Sequence, residues 1–288
     1  MSSLVRNTIA TLEMIKWEHS IFALPFALTG AMLAAGGWPA PRTLLLIVVC
    51  MVAARTAAMA FNRLADADLD RDNPRTAMRA LPAGTLSRGF VRGFVVVSSL
   101  LFFFAAALLN RMTLELAPIA LAVILAYSYM KRITRWSHLV LGLALGIAPS
   151  AAWIAVRGTF DPRILVLTLA VLLWVGGFDV LYACQDFEHD RRAGLNSVPQ
   201  AFGMVAAFWI SRVMHLGMLF ALVWLMQLFH LGRLAGVGIA AVALLLAYEH
   251  SIISPGDIRR MNAAFFTLNG IISVVFFGFV AADILLRA

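Results

Sequence analysis

Long apolar runs, rather than amphipathic stripes, dominate the chain. Several reach the ~20 residues that an α-helix needs to cross a ~30 Å hydrocarbon core. The pattern predicts an all-α, polytopic membrane protein with nine transmembrane helices in a bundle, spanning about 18–37, 43–64, 92–110, 113–130, 137–156, 163–185, 206–228, 234–253 and 264–286. Only Asn110-Arg111-Met112 parts the third span from the fourth, which predicts a tight hairpin. Residues 1–17, carrying Arg6, Glu13 and Lys16, read as an amphipathic lead-in lying on the membrane surface. The first apolar run starts late and continues to spanning length, unlike a cleaved signal peptide. The whole of 1–288 is expected to be a single integral-membrane domain.

Composition and charge sharpen this picture. Apolar residues make up 62% of the chain and charged residues only 13%, against a usual ~25%. The net charge of +8 is no sign of nucleic-acid binding, because its distribution follows the membrane. With nine spans and the amino terminus inside, fifteen Lys/Arg fall on the cytoplasmic side and six outside, with Arg55 and Arg63 inside the second span. That asymmetry predicts the orientation, a multi-pass protein of the cell (inner) membrane whose polar loops face the cytoplasm. Cys50 and Cys184 have no metal-type spacing and receive no role.

The acids are few and concentrated. Residues 62–72 and 179–190 hold eight of the fifteen, each group at the cytoplasmic end of an apolar run. Residues four apart share a helix face. Asn62, Asp66 and Asp70 therefore form one stripe, and Asp179, Tyr182, Asp186 and Asp190 a second. Asp68 and Asp72 lie off the first stripe and are expected to be solvated. If the two span ends face each other, Asp66, Asp70, Asp186 and Asp190 converge on one cavity. Hard carboxylate oxygens of this kind suit magnesium, which takes one or two carboxylates plus substrate phosphates. The expected ligand is a diphosphate clamped by Mg2+.

Basic residues must balance such an anion. Lys131 and Arg132 end the fourth span on the same side and can reach the cavity mouth; Arg135 fits an ordinary interfacial anchor better. Arg55 lies seven residues before Asn62, on the same face and about 10 Å deeper. A buried arginine there needs a partner, either an aromatic carboxylate or a structural acid such as Glu18. Lys16, Glu18 and His19 stand at the mouth of the first span, where one can line the cavity or all can serve as anchors. Two loops broken by Pro and Gly, at 73–84 and 191–199, follow the acidic clusters. Asp66, Asp70 and Arg71 recur 120 residues later as Asp186, Asp190 and Arg191, which suggests two related halves, spans 1–4 and 5–8, with the ninth added.

At these motifs the chain resembles the UbiA superfamily of intramembrane aromatic prenyltransferases. The family's Asn-x-x-x-Asp-x-x-x-Asp signature is filled by Asn62, Asp66 and Asp70. Its Asp-x-x-Tyr-x-x-x-Asp-x-x-x-Asp signature is filled by Asp179, Tyr182, Asp186 and Asp190. Tyr127 and Lys131 match a Tyr-x-x-x-Lys element, and Gly194 with Ser197 matches a Gly-x-x-Ser loop. One departure is Ser128, where relatives commonly carry proline; nothing catalytic depends on it. The resemblance implies a bundle around a cavity that opens to lipid, and Mg-dependent transfer of a polyprenyl group from polyprenyl diphosphate to an aromatic acid. The segment Lys16–Ala27 is similar to a branch acting on 4-hydroxybenzoate in ubiquinone biosynthesis, with a dihydroxynaphthoate of menaquinone biosynthesis as the alternative acceptor. The implied roles are metal binding for Asp66, Asp70, Asp186 and Asp190, and phosphate binding for Asn62, Lys131 and Arg132, with Lys16 assisting. Asp179 would orient or deprotonate the acceptor hydroxyl, and Tyr182 would support the diphosphate or the cation. A cation transporter is the rival from another class, but would carry its acids near the midplane rather than at span ends. A metal-dependent structural protein would need no lipid-sized cavity.

Overall fold

The structure, a computed structural model, describes residues 10, 11, 14 and 22–287. Lys16, Glu18, His19 and most of the lead-in therefore lie outside the described residues. Helix α1 (Leu24–Ala35) takes Pro25 in its first turn and stops at Gly36, whose φ of 68° is left-handed. The expected first span of 18–37 is thus seen here as 12 residues. Helix α2 (Pro41–Asp72) runs eight residues beyond the predicted end at 64. Nothing in the acidic stretch breaks a helix, and the chain turns extended only at Asn73, the residue before Pro74. The first acidic cluster is therefore the last two turns of a helix.

Two antiparallel helices follow, α3 (Arg88–Leu109) and α4 (Arg111–Ile133), joined through Asn110. The Asn110 side chain accepts the Thr113 N–H at 2.9 Å and donates to the Ile154 carbonyl at 2.8 Å, so the hairpin turn is also tied to the next helix. That helix is α5 (Ser137–Arg157), and α6 (Leu165–Ala183) packs along it. A Cβ placed on Gly142 would collide with the Leu172 carbonyl, so the two backbones approach as closely as small residues permit.

The second acidic cluster departs from a single helical period. A 3-10 turn at Cys184–Asp186 separates α6 from the short α7 (Phe187–Ala193), which ends at left-handed Gly194. After α8 (Val198–Phe202) come α9 (Met204–Leu228) and α10 (Arg233–Ile252). A π-helical stretch, Ala263–Leu268, leads into α11 (Asn269–Leu285). Among the described residues eight helical segments are long and apolar enough to cross a membrane, and α1 is a shorter apolar one. This is a multi-pass membrane protein.

Helix α6 is the most enclosed of the spans and forms the centre of the bundle. Phe26, Trp174, Phe178 and Phe276 meet there, with ring centroids 5.0–5.4 Å apart along the chain Phe276–Phe26–Trp174–Phe178. The Trp174 indole donates to Asn269 at 2.8 Å, which satisfies its polar edge inside the core. Large apolar side chains such as Phe104, Phe220 and Leu244 point outward, as a lipid-facing surface requires. On the other flank of α6, helices α1, α2, α4 and α5 wall a cavity of about 850 Å³.

Candidate active site

The cavity is apolar along its walls and charged at one end. Asn62, Asp66 and Asp70 project into it from the last turns of α2, and Asp179, Tyr182, Asp186 and Asp190 from α6, the 3-10 turn and α7. The two tips meet: Asn73, just past α2, donates its amide to Asp186 Oδ1 at 3.2 Å across 113 residues of sequence. Lys131, Arg132 and Arg55 line the same cavity, so every described member of the predicted site is brought together.

The side chains hold one another in specific pairs. Asn62 donates to Asp66 at 3.1 Å, and Arg132 reaches the other Asp66 oxygen at 3.2 Å while covering the Tyr129 ring. Arg79 straddles both oxygens of Asp70 at 2.8 Å. Arg75 grips Asp186 through two nitrogens, Nε at 2.8 Å, and lies over the Tyr182 ring. Burial works against the Arg75 charge, but its hydrogen bond to Asp186 and that carboxylate's charge outweigh it and hold its pKa above the ordinary arginine value. Asp190 is 2% exposed, and its Oδ2 has no hydrogen-bond partner among the described residues.

This donor set fits a hard divalent cation. Four carboxylates line one space, and the orphaned oxygen of Asp190 is a buried acceptor in want of a positive partner. Arginines engage three of the four acids, and no group of three or more His, Cys, Asp or Glu among the described residues is spaced to hold a metal by itself. A metal would bind by taking carboxylate oxygens over from those arginines.

Four residues emerge that the sequence reading did not assign. Arg75 and Arg79 come from a loop, where periodicity carries no information, although the run of arginines there was visible. Arg63 lies one turn deeper than Asp66, is 9% exposed and lines the cavity. Its guanidinium makes no hydrogen bond or ion pair among the described residues, since the neighbouring Asp66 and Asp70 are engaged by Arg132 and Arg79. His138, at the start of α5, bonds Asp179 Oδ2 through Nδ1 at 2.7 Å. A single histidine 41 residues from its partner leaves no spacing signal to find.

The second polar loop is fastened over this end. Asn196 donates its N–H to the Lys131 carbonyl at 2.7 Å, and Ser197 caps α8 by accepting the Gln200 N–H.

The UbiA prenyltransferase family profile matches residues 23–271. The chain belongs to the UbiA prenyltransferase family. It is 32% identical over 237 residues to a 4-hydroxybenzoate octaprenyltransferase of Vibrio cholerae serotype O1, covering 81% of this chain and 82% of that protein. A protein of the same name from Alkalilimnicola ehrlichii is 31% identical over 251 residues, covering 87% and 85%. Among solved structures, an apo UbiA homolog from Aeropyrum pernix K1 superposes with a TM-score of 0.85 at 33% identity, covering 93% of this chain and 99% of that one. A UbiA homolog from Archaeoglobus fulgidus, bound to DMAPP and Mg2+, shares the fold with a TM-score of 0.75 at 18% identity, covering 95% and 98%. This member of the UbiA family is a prenyltransferase built into the membrane.

Proposed function

We propose that the chain transfers a polyprenyl group from its diphosphate to an aromatic acid, with 4-hydroxybenzoate as the first acceptor to test. The observation that carries the reading is the meeting of the α2 and α6 tips. It gathers five aspartates and five cationic side chains (Arg63, Arg75, Arg79, Lys131 and Arg132) toward one end of an otherwise apolar cavity. That end suits a diphosphate and its metal, and the apolar remainder suits an isoprenoid. The relatives named for 4-hydroxybenzoate and the fold neighbour holding DMAPP and Mg2+ support the same reading.

Asp66, Asp70, Asp186 and Asp190 are the residues to hold magnesium. Bound there with the diphosphate, magnesium supplies the positive charge that stabilises the leaving group. Asn62 keeps Asp66 oriented, and Lys131, with Arg132 that here pairs with Asp66, is assigned to phosphate oxygens. Lys16 is also proposed as a phosphate ligand. Arg75 and Arg79, which here bind Asp186 and Asp70, would be available to do the same if those carboxylates held a metal. Arg63 supplies charge on the deep side.

The C1–O bond of the prenyl diphosphate breaks with its electron pair leaving on the diphosphate. The apolar walls keep water from the allylic cation that remains, and Tyr182 is assigned to support the diphosphate or the cation. The acceptor ring attacks C1 through the carbon ortho to its hydroxyl, and Asp179 takes the hydroxyl proton. Loss of the ring C–H proton and return of one to the oxygen restore aromaticity. Arg55, two turns below Asn62, is assigned to the acceptor carboxylate. The positive-inside count supports a cavity mouth on the cytoplasmic face of the cell membrane.

The test is direct. Membranes containing the protein are offered 4-hydroxybenzoate or dihydroxynaphthoate with prenyl diphosphates of several lengths, and products are identified by mass. Prenylated 4-hydroxybenzoate is expected. Product from dihydroxynaphthoate alone would move the assignment to the menaquinone route, and the absence of any prenylated aromatic would overturn it.

A further inference from the structure

We propose that His138 is a positioning residue for the acceptor step, acting through Asp179; the proposal rests on the assignment of Asp179 as the group that receives the acceptor proton. His138 is 1% exposed, so its bonds define its state. The backbone N–H of Val198 donates to Nε2 at 3.2 Å. A nitrogen that accepts a hydrogen bond carries no proton, so the ring is neutral and its one proton sits on Nδ1. That proton is donated to Asp179 Oδ2 at 2.7 Å.

The consequence for Asp179 is geometric. One oxygen is fixed by the imidazole, while Oδ1, which has no hydrogen bond among the described residues, belongs to a carboxylate that lines the cavity. Asp179 stands seven residues before Asp186, about 10 Å along the helix. The free oxygen thus lies below the diphosphate end, where an acceptor hydroxyl must sit for its ring to meet C1. Val198 opens α8, directly after the loop that is also tied to Lys131. The tautomer of His138, and with it the aim of Asp179, is therefore set by the closed loop. An acceptor meets a correctly oriented carboxylate only when the cap is in place.

Two substitutions separate this role from simple packing. In His138→Asn the amide nitrogen falls near the place of Nδ1 and keeps the bond to Asp179; in His138→Gln the amide falls near Nε2 and keeps only the bond to Val198. Purified full-length protein in lipid nanodiscs is assayed with 4-hydroxybenzoate, or with whichever acceptor the product screen selects. We expect His138→Gln to lower kcat on the order of 10- to 100-fold, a part of the full contribution of a general base, with the KM for prenyl diphosphate unchanged. His138→Asn is expected to recover most of the rate. Gln active and Asn slow would assign His138 to holding the loop and overturn the proposal. Equal, near wild-type rates for both would also overturn it. Asp179→Asn, measured alongside, tells this failure from failure of the underlying reading: if it too retains full transfer, Asp179 is not the proton acceptor.

Discussion

Asp66 and Asp186 come from helices more than a hundred residues apart, yet each takes the charge of an arginine beside the same space. In the proposed site each would hold the metal, and replacing either by alanine removes two carboxylate oxygens from it. Asp66→Ala and Asp186→Ala are therefore expected to insert normally and to show no transfer at any magnesium concentration. Turnover by either at the wild-type rate would contradict the metal assignment. Arg63→Gln makes a different demand. A charge-assisted hydrogen bond contributes about 1.5–3 kcal/mol, so its loss is expected to raise the KM for prenyl diphosphate roughly 10- to 100-fold. An unchanged KM would leave Arg63 without a ligand. Residues at helical spacing were legible in the sequence, because a four-residue repeat of acids inside an apolar protein has few explanations. Arg63 was visible only as a charge within a span, since spacing does not reveal that Asp66 and Asp70 are already taken. Lys16, read from sequence as a phosphate ligand, lies outside the described residues.

At the scale of elements, apolar length gave the spans, and local breakers decided where they end. The run past 64 looked like a boundary because its hydropathy falls, yet hydrogen bonding continues to Asp72 and stops only for Asn73-Pro74. The 3-10 turn at Cys184–Asp186 had no counterpart in the pattern, because one tightened turn shifts the helical phase without changing which residues are polar. The seam between α5 and α6 depends on Gly142, where the Leu172 carbonyl leaves no room for a side chain. Gly142→Val is expected to destabilise the protein by about 1–3 kcal/mol, seen as a lower melting temperature in detergent. An unchanged Tm would mean that the helices can part without loss.

At the scale of the whole molecule, the basic loops predict which face carries the cavity mouth. The native cysteines suit an accessibility test, since Cys184 is buried and Cys50 partly so. A cysteine placed at Ala83, in the loop after α2, is expected to react with an impermeant maleimide in inside-out vesicles and not in right-side-out ones; the reverse would invert the topology. Orientation is an expectation drawn from charge counts alone, whereas the fastening of the second loop needed coordinates, being made of backbone donors that no side chain announces. The arginine pairs on Asp66, Asp70 and Asp186 have one more consequence, for the order of events in a catalytic cycle. With three of the four proposed chelating groups already neutralised, the site is a poor sponge for free ions, so Mg2+ is expected to arrive escorted by its pyrophosphate ester. Calorimetric titration of the resting protein with MgCl2 alone should give little heat, and the same titration with a non-hydrolysable prenyl diphosphate analogue present should saturate.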